Sequence, residues 1–169
     1  MRVPILRRSL LFAALLLAAC EPGVVGPDEV DAGLRTSVVP DASWGYMERD
    51  LFSYRIPPGF QDLHLQPIDS DAVMFASGSS TLHHDYGWYT GPWSLEQSGA
   101  PAELVEQRVN VGGRTAQVVA YRSGSTYVVR AWWALERQGQ QTSLLLEGQT
   151  EEAAVRPQLL AAIYSVRFN

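Results

Sequence analysis

The densest run of chemically versatile residues in the chain is Thr81-Leu82-His83-His84-Asp85-Tyr86-Gly87-Trp88-Tyr89. Two imidazoles and a carboxylate are nitrogen and oxygen ligands that zinc or copper accepts, and His64 is a distant third imidazole. The run also reads as a strand, along which neighbours point to opposite faces. On that register His83 and Asp85 share one face while His84 and Tyr86 share the other, so the three ligands meet one ion only if a bulge turns one of them. A metal-dependent enzyme using His83, His84 and Asp85 stands as the rival reading. The simpler one puts one histidine in solvent and hydrogen-bonds the other within a sheet, and expects neither metal nor cofactor.

The same run and its continuation offer aromatic surface. Trp88, Tyr89 and Trp93 together would make a platform for a glycan, a small ligand or a peptide, because such rings carry large contact area and a polar handle. Burial in the core of a β-rich domain is the competing role. Trp132 and Trp133 must face opposite ways on a regular strand, and both are buried only if both sheet faces are covered.

Other catalytic chemistry is poorly served. All 13 basic residues are arginine, which excludes a P-loop lysine, a Schiff base and a Ser-Lys dyad. Ala76-Ser77-Gly78-Ser79-Ser80 lacks the G-x-S-x-G elbow. The acidic pairs Asp69/Asp71 and Glu103/Glu106 fit turn and surface roles, and no glycine-rich phosphate loop follows a strand. The expectation is a protein with no catalytic function.

These residues need a frame, and the pattern supplies one from Trp44 onward. Phe52, Tyr54 and Ile56 alternate with Ser53 and Arg55 and end at Pro57-Pro58-Gly59. Further strands are expected at 64–66, 72–76 and 80–89. Two more flank Gly112-Gly113, whose glycines suit the positive φ of a tight turn. A long strand then places Tyr127, Val129, Ala131, Trp133 and Leu135 on one face, and 142–147 completes an antiparallel meander. Thr150 is the expected N-cap of a closing helix bearing Leu159, Leu160 and Ile163. Pro157 requires that this helix kink or that a new one start there. Residues 165–168 read as a short returning strand.

The N-terminus differs in kind. Arg2, Arg7 and Arg8 precede an apolar run, Leu10 to Leu17, too short to cross a hydrocarbon layer of about 30 Å. Residues 1–19 are therefore expected to be an export signal. The chain's one cysteine, Cys20, follows immediately and has no second thiol with which to form a bridge. Removing the signal leaves 150 residues with ten basic and eighteen acidic side chains, a formal charge of −8. That balance argues against nucleic acid and anionic headgroups as partners. Residues 20–43, rich in Pro, Gly and Asp, read as a flexible tether, and 44–169 as one globular domain.

The stretch Leu17-Ala18-Ala19-Cys20 resembles the bacterial lipobox. That resemblance implies a lipoprotein whose Cys20 sulfur carries diacylglycerol and whose amine is acylated, giving near-permanent membrane attachment. Glu21 stands where an inner-membrane retention signal would have aspartate, which favours the periplasmic side of an outer membrane. In the domain, Phe52-Ser53-Tyr54-Arg55-Ile56-Pro57-Pro58-Gly59-Phe60, the hairpin at Gly112-Gly113-Arg114 and Ile163-Tyr164-Ser165-Val166-Arg167-Phe168 resemble the PsbP-like families. Ile68-Asp69-Ser70 and Asp85-Tyr86-Gly87-Trp88-Tyr89 are similar to segments of uncharacterised exported bacterial proteins. The PsbP-like resemblance implies an α+β fold, an antiparallel meander with a C-terminal helix in an α/β/α sandwich. The combined expectation is a lipid-anchored interaction or assembly module of the cell envelope, with an envelope protein as its partner.

Overall fold

The computed structural model describes residues 34–67, 70–94 and 101–169. Cys20, the apolar leader and the tether up to residue 33 lie outside them, as does Asp69. The strands are β1 (Gly45–Glu48), β2 (Phe52–Ile56), β3 (Gln61–Asp62), β4 (Asp71–Ser77), β5 (Ser80–Gly87), β6 (Ala102–Val111), β7 (Arg114–Ser123), β8 (Thr126–Arg137), β9 (Gln140–Thr150) and β10 (Arg167–Phe168). One helix, α1 (Arg156–Tyr164), stands among the described residues.

The strands form two antiparallel sheets, a small one ordered β1-β2-β10 and a large one ordered β3-β4-β5-β9-β8-β7-β6. Consecutive hairpins join β6 through β9, and β5 pairs with the far side of β9. Gly112 is needed at the first hairpin: its φ is +62°, and a Cβ there would lie 2.6 Å from the Val166 carbonyl oxygen. The turn thus tucks against the chain leading into β10.

Alternation along the strands gives the large sheet an apolar inner face. Phe75, Leu82, Leu144, Leu146, Val129, Ala131 and Trp133 are all buried there. Phe52, Tyr54 and Ile56 of the small sheet cover part of it, and Leu159, Leu160 and Ile163 of α1 join the same core. A Cβ on Gly148 would meet Leu159 carbons at 2.9 Å, so the glycine lets the helix settle directly on β9.

The α+β sandwich expectation is overturned. The described residues are 55% strand and 7% helical, with one short helix among them, so they make a mostly antiparallel β structure. The helix is short for a local reason. Thr150 ends β9 instead of capping a helix, and its hydroxyl contacts Ser80 Oγ at 2.7 Å and accepts the Glu152 N–H at 3.0 Å. Helical geometry begins only with Pro157 in the first turn, where its missing N–H costs nothing.

Two local differences also have physical causes. The strand expected at 64–66 is displaced to Gln61–Asp62, because the Asp62 carboxylate accepts the His64 N–H at 2.6 Å and His64 takes a φ of +51°. The packed chain begins ahead of Trp44. Leu34 is buried, its carbonyl accepts the Tyr164 hydroxyl at 2.8 Å, and the Thr36 hydroxyl donates to the Pro157 carbonyl at 2.9 Å.

Candidate functional site

Strand β5 separates the residues that a metal site would have needed together. His84 faces inward and is fully buried. Its Nδ1 lies 2.7 Å from the Tyr54 hydroxyl, its Nε2 lies 3.6 Å from Asp71 Oδ1, and Asp71 Oδ2 accepts Arg49 Nε at 2.8 Å. A proton on Nε2 lets Tyr54 donate to Nδ1 and aims the remaining N–H at Asp71. Burial pushes the Tyr54 phenol far above its ordinary range, so it keeps its proton. The His84 ring and then Arg49 hold Asp71 below the usual carboxylate range. This array links the small sheet to the large one through the core, and its hydroxyl is closed to substrate.

His83 and Asp85 face the opposite way. His83 sits beside Met74 of β4 and Glu147 of β9, and Glu147 pairs with Arg130 of β8 at 3.6 Å. Burial lowers the His83 pKa, opposed by Glu147 and Asp85, so the neutral imidazole is favoured. The same burial, reinforced by Glu147, raises the Tyr121 phenol. Among the described residues no three His, Cys, Asp or Glu side chains gather as metal ligands. His64 is remote and exposed, beside Asp62.

The aromatic trio divides as well. Trp93 is buried, with its ring 6.1 Å from Tyr121. Gln117 clamps it, Oε1 accepting the Trp93 N–H at 3.0 Å and Nε2 donating to the Trp93 carbonyl at 3.2 Å. Trp88 and Tyr89 are 53% and 82% exposed. The expected three-ring platform is therefore a two-ring one, with Trp93 serving to anchor the segment behind it.

The exposed pair is held by groups that sequence reasoning missed. Thr142 and Ser143 are buried at the start of β9. The Thr142 hydroxyl donates to the Gly87 carbonyl at 2.9 Å, and that of Ser143 donates to the Thr90 carbonyl at 2.8 Å and also contacts the Thr90 hydroxyl. Both ends of the 87–90 loop are thus tied to β9, and the rings between them are presented on a fixed support. Trp132, on the outer face of β8, joins Trp88, Thr90 and Gln141 around a cleft of about 310 Å³. A β-branched threonine followed by a serine at a strand start carries no distinguishing local signal.

No protein-family model matches the chain, and no curated protein matches it. Solved structures similar in outline include the following two. The Saccharomyces cerevisiae Ran-binding protein Mog1p is 15% identical over 73% of this chain and 94% of its own, with a TM-score of 0.44. LpqN of Mycobacterium tuberculosis, described as involved in cell envelope biogenesis, is 14% identical over 78% of this chain and 81% of its own, with a TM-score of 0.36. At these TM-scores neither likeness assigns a fold or a function to the chain.

Proposed function

We propose that this protein is a lipid-anchored, non-catalytic interaction module of the cell envelope, and that Trp88 and Tyr89 form its contact surface. The observation that carries the surface assignment is the pinned 87–90 loop. Two large aromatic rings stand in solvent while buried hydroxyls fix the backbone on either side of them. Rings held in place lose little freedom on binding, so their burial converts efficiently into affinity. The anchor rests on Leu17-Ala18-Ala19-Cys20 and on the absence of any other cysteine. No helix among the described residues is long and apolar enough to cross a membrane. Attachment through acyl chains on Cys20 is the proposed link, on the periplasmic side of an outer membrane.

The experiment is co-purification from solubilised envelopes of the source cells. Wild type, Trp88→Ala/Tyr89→Ala and a chain ending at residue 33 are compared by quantitative mass spectrometry. An envelope component enriched by wild type alone supports the reading. Equal profiles for all three contradict it. Intact-mass measurement of the same material checks the anchor, because an acylated Cys20 adds lipid mass and an unmodified thiol does not.

The cleft between Trp88 and Trp132 favours one further reading, a glycan as the contacting group. Indole faces with hydroxyl and amide groups nearby suit a sugar ring, which has apolar C–H faces and polar edges. A thermal-shift screen of envelope saccharides separates the two, since a protein partner leaves the isolated chain unshifted by sugars.

A further inference from the structure

A cleft of about 620 Å³ opens on the side of the small sheet turned away from the core. Its floor follows from alternation along β2. Phe52, Tyr54 and Ile56 point inward, so Ser53 and Arg55 point the other way. Register places Tyr46 of β1 beside Arg55, and Arg167 of β10 beside Ser53. One wall is the segment ahead of the first strand, with Val38, Val39 and Pro40, fastened to α1 through Thr36 and the Leu34 carbonyl.

Three features of this cleft point to a ligand. Among its lining residues are two guanidinium groups and no carboxylate, although the chain as a whole carries a net charge of −5. Neither Arg55 nor Arg167 has an acidic partner within ion-pair distance among the described residues. The Arg55 guanidinium lies 5.1 Å from the Tyr46 ring centroid, which leaves its edge free to donate. Arg167 donates from Nη1 to the Val166 and Tyr164 carbonyls at 2.8 and 3.3 Å, and a guanidinium has further N–H groups beyond that nitrogen.

Ser53 is the second feature. It is 4% exposed and lines the cleft, yet its hydroxyl has no hydrogen-bond partner among the described residues. The neighbouring Ser165 hydroxyl is fully used, donating to the Ala162 carbonyl at 2.6 Å and accepting the Arg55 N–H at 2.8 Å. The Ser53 hydroxyl is not one of the enclosed polar atoms, so it opens onto the cleft and can donate to a ligand oxygen beside Arg167. The third feature is the wall. Val39 is 79% exposed and stands with Val38 and Pro40 along one side, an apolar strip facing a cationic floor.

We propose that this cleft binds one anionic amphiphile. Its phosphate or carboxylate oxygens rest on Arg55, Arg167 and Ser53, and its apolar part lies along Val38, Val39, Pro40 and the Tyr46 ring. The volume falls in the range of small-ligand pockets. The site is separate from the Trp88/Tyr89 loop, so either assignment can fail without the other.

The test is isothermal titration of the full-length chain, in neutral detergent, with n-hexyl phosphate, inorganic phosphate and n-hexanol. Saturable binding of one hexyl phosphate per chain, about tenfold tighter than inorganic phosphate and absent for hexanol, is expected. Arg55→Gln, Arg167→Gln and Val39→Asp should each weaken it by about tenfold or more, while Arg137→Gln, outside the cleft, should not. Arg55 is the decisive position because its exposed side chain can be changed without disturbing the helix end that Arg167 holds, and thermal melts verify that each variant is folded. Absence of saturable binding, or an affinity indifferent to Arg55→Gln, overturns the proposal. Inorganic phosphate binding as tightly as hexyl phosphate overturns the amphiphile and identifies a free-anion site.

Discussion

The inner and outer faces of the large sheet are built from alternate residues of the same strands, yet they hold different kinds of side chain. Trp133 and Trp132 show the contrast in one step along β8. The first is fully buried, with its ring 5.8 Å from Phe168, and the second is half-buried beside the cleft under Trp88. The inner face has closed around Phe52, Tyr54, Leu159 and Ile163, and its polar member His84 contacts Tyr54 of the small sheet. The outer face carries His83, Asp85, Glu147 and Arg130 in adjoining positions. Both faces leave buried polar atoms without a hydrogen bond, His84 Nε2, Tyr86 Oη and Trp133 Nε1 inside and Asp85 Oδ1 and Arg130 Nε outside. The difference lies in content: one face is a close-packed apolar core, while the other supports charge and exposed aromatic surface.

The largest expected effect breaks the close-packed face. Trp133→Ala should cost about 3–5 kcal/mol by emptying the centre of the core, measured by denaturant unfolding. If Trp133→Ala and Trp132→Ala destabilise equally, the distinction between the faces fails. Tyr54→Phe should cost about 1–3 kcal/mol, because it strands His84 Nδ1 in the core without its partner.

Acid should sharpen the comparison. The folded-state pKa of His83 is depressed by burial, so its contribution is complete above about pH 6.5 and is lost as pH falls below that value. The pKa of Asp71 is depressed by His84 and Arg49, so its contribution persists down to about pH 4 and is lost below. Melting temperature against pH should therefore fall in two stages. His83→Gln should flatten the first stage and leave the second, whereas Asp71→Asn should do the reverse. The smallest effect on stability is expected at the exposed loop, where Trp88→Ala should stay within about 0.5 kcal/mol of wild type.

The parts of this architecture that a reader of the sequence can find are those governed by local rules. Period-two alternation places β2 and β8, and Gly112-Gly113 marks the first hairpin of the meander. Alternation also separates His83 and Asp85 from His84. What escapes is non-local. The bonds from Thr142 and Ser143 to the 87–90 loop join residues more than fifty positions apart, so nothing beside Trp88 reveals that its loop is fixed. Trp93 looks like its exposed neighbours until Gln117 of β7 clamps it. The second layer of helix implied by the PsbP-like resemblance has no counterpart in the described residues, since helical geometry there is confined to the turns after Pro157.

The central claim, that the pinned aromatic loop is a contact surface, is tested most directly by photo-crosslinking in the living cell from single positions. With a benzophenone side chain at position 89, the account predicts a discrete covalent adduct with an envelope component. The same probe at the exposed position 125, in the turn at the opposite end of the sheet, should give none. An adduct from position 125 together with silence at position 89 would contradict it.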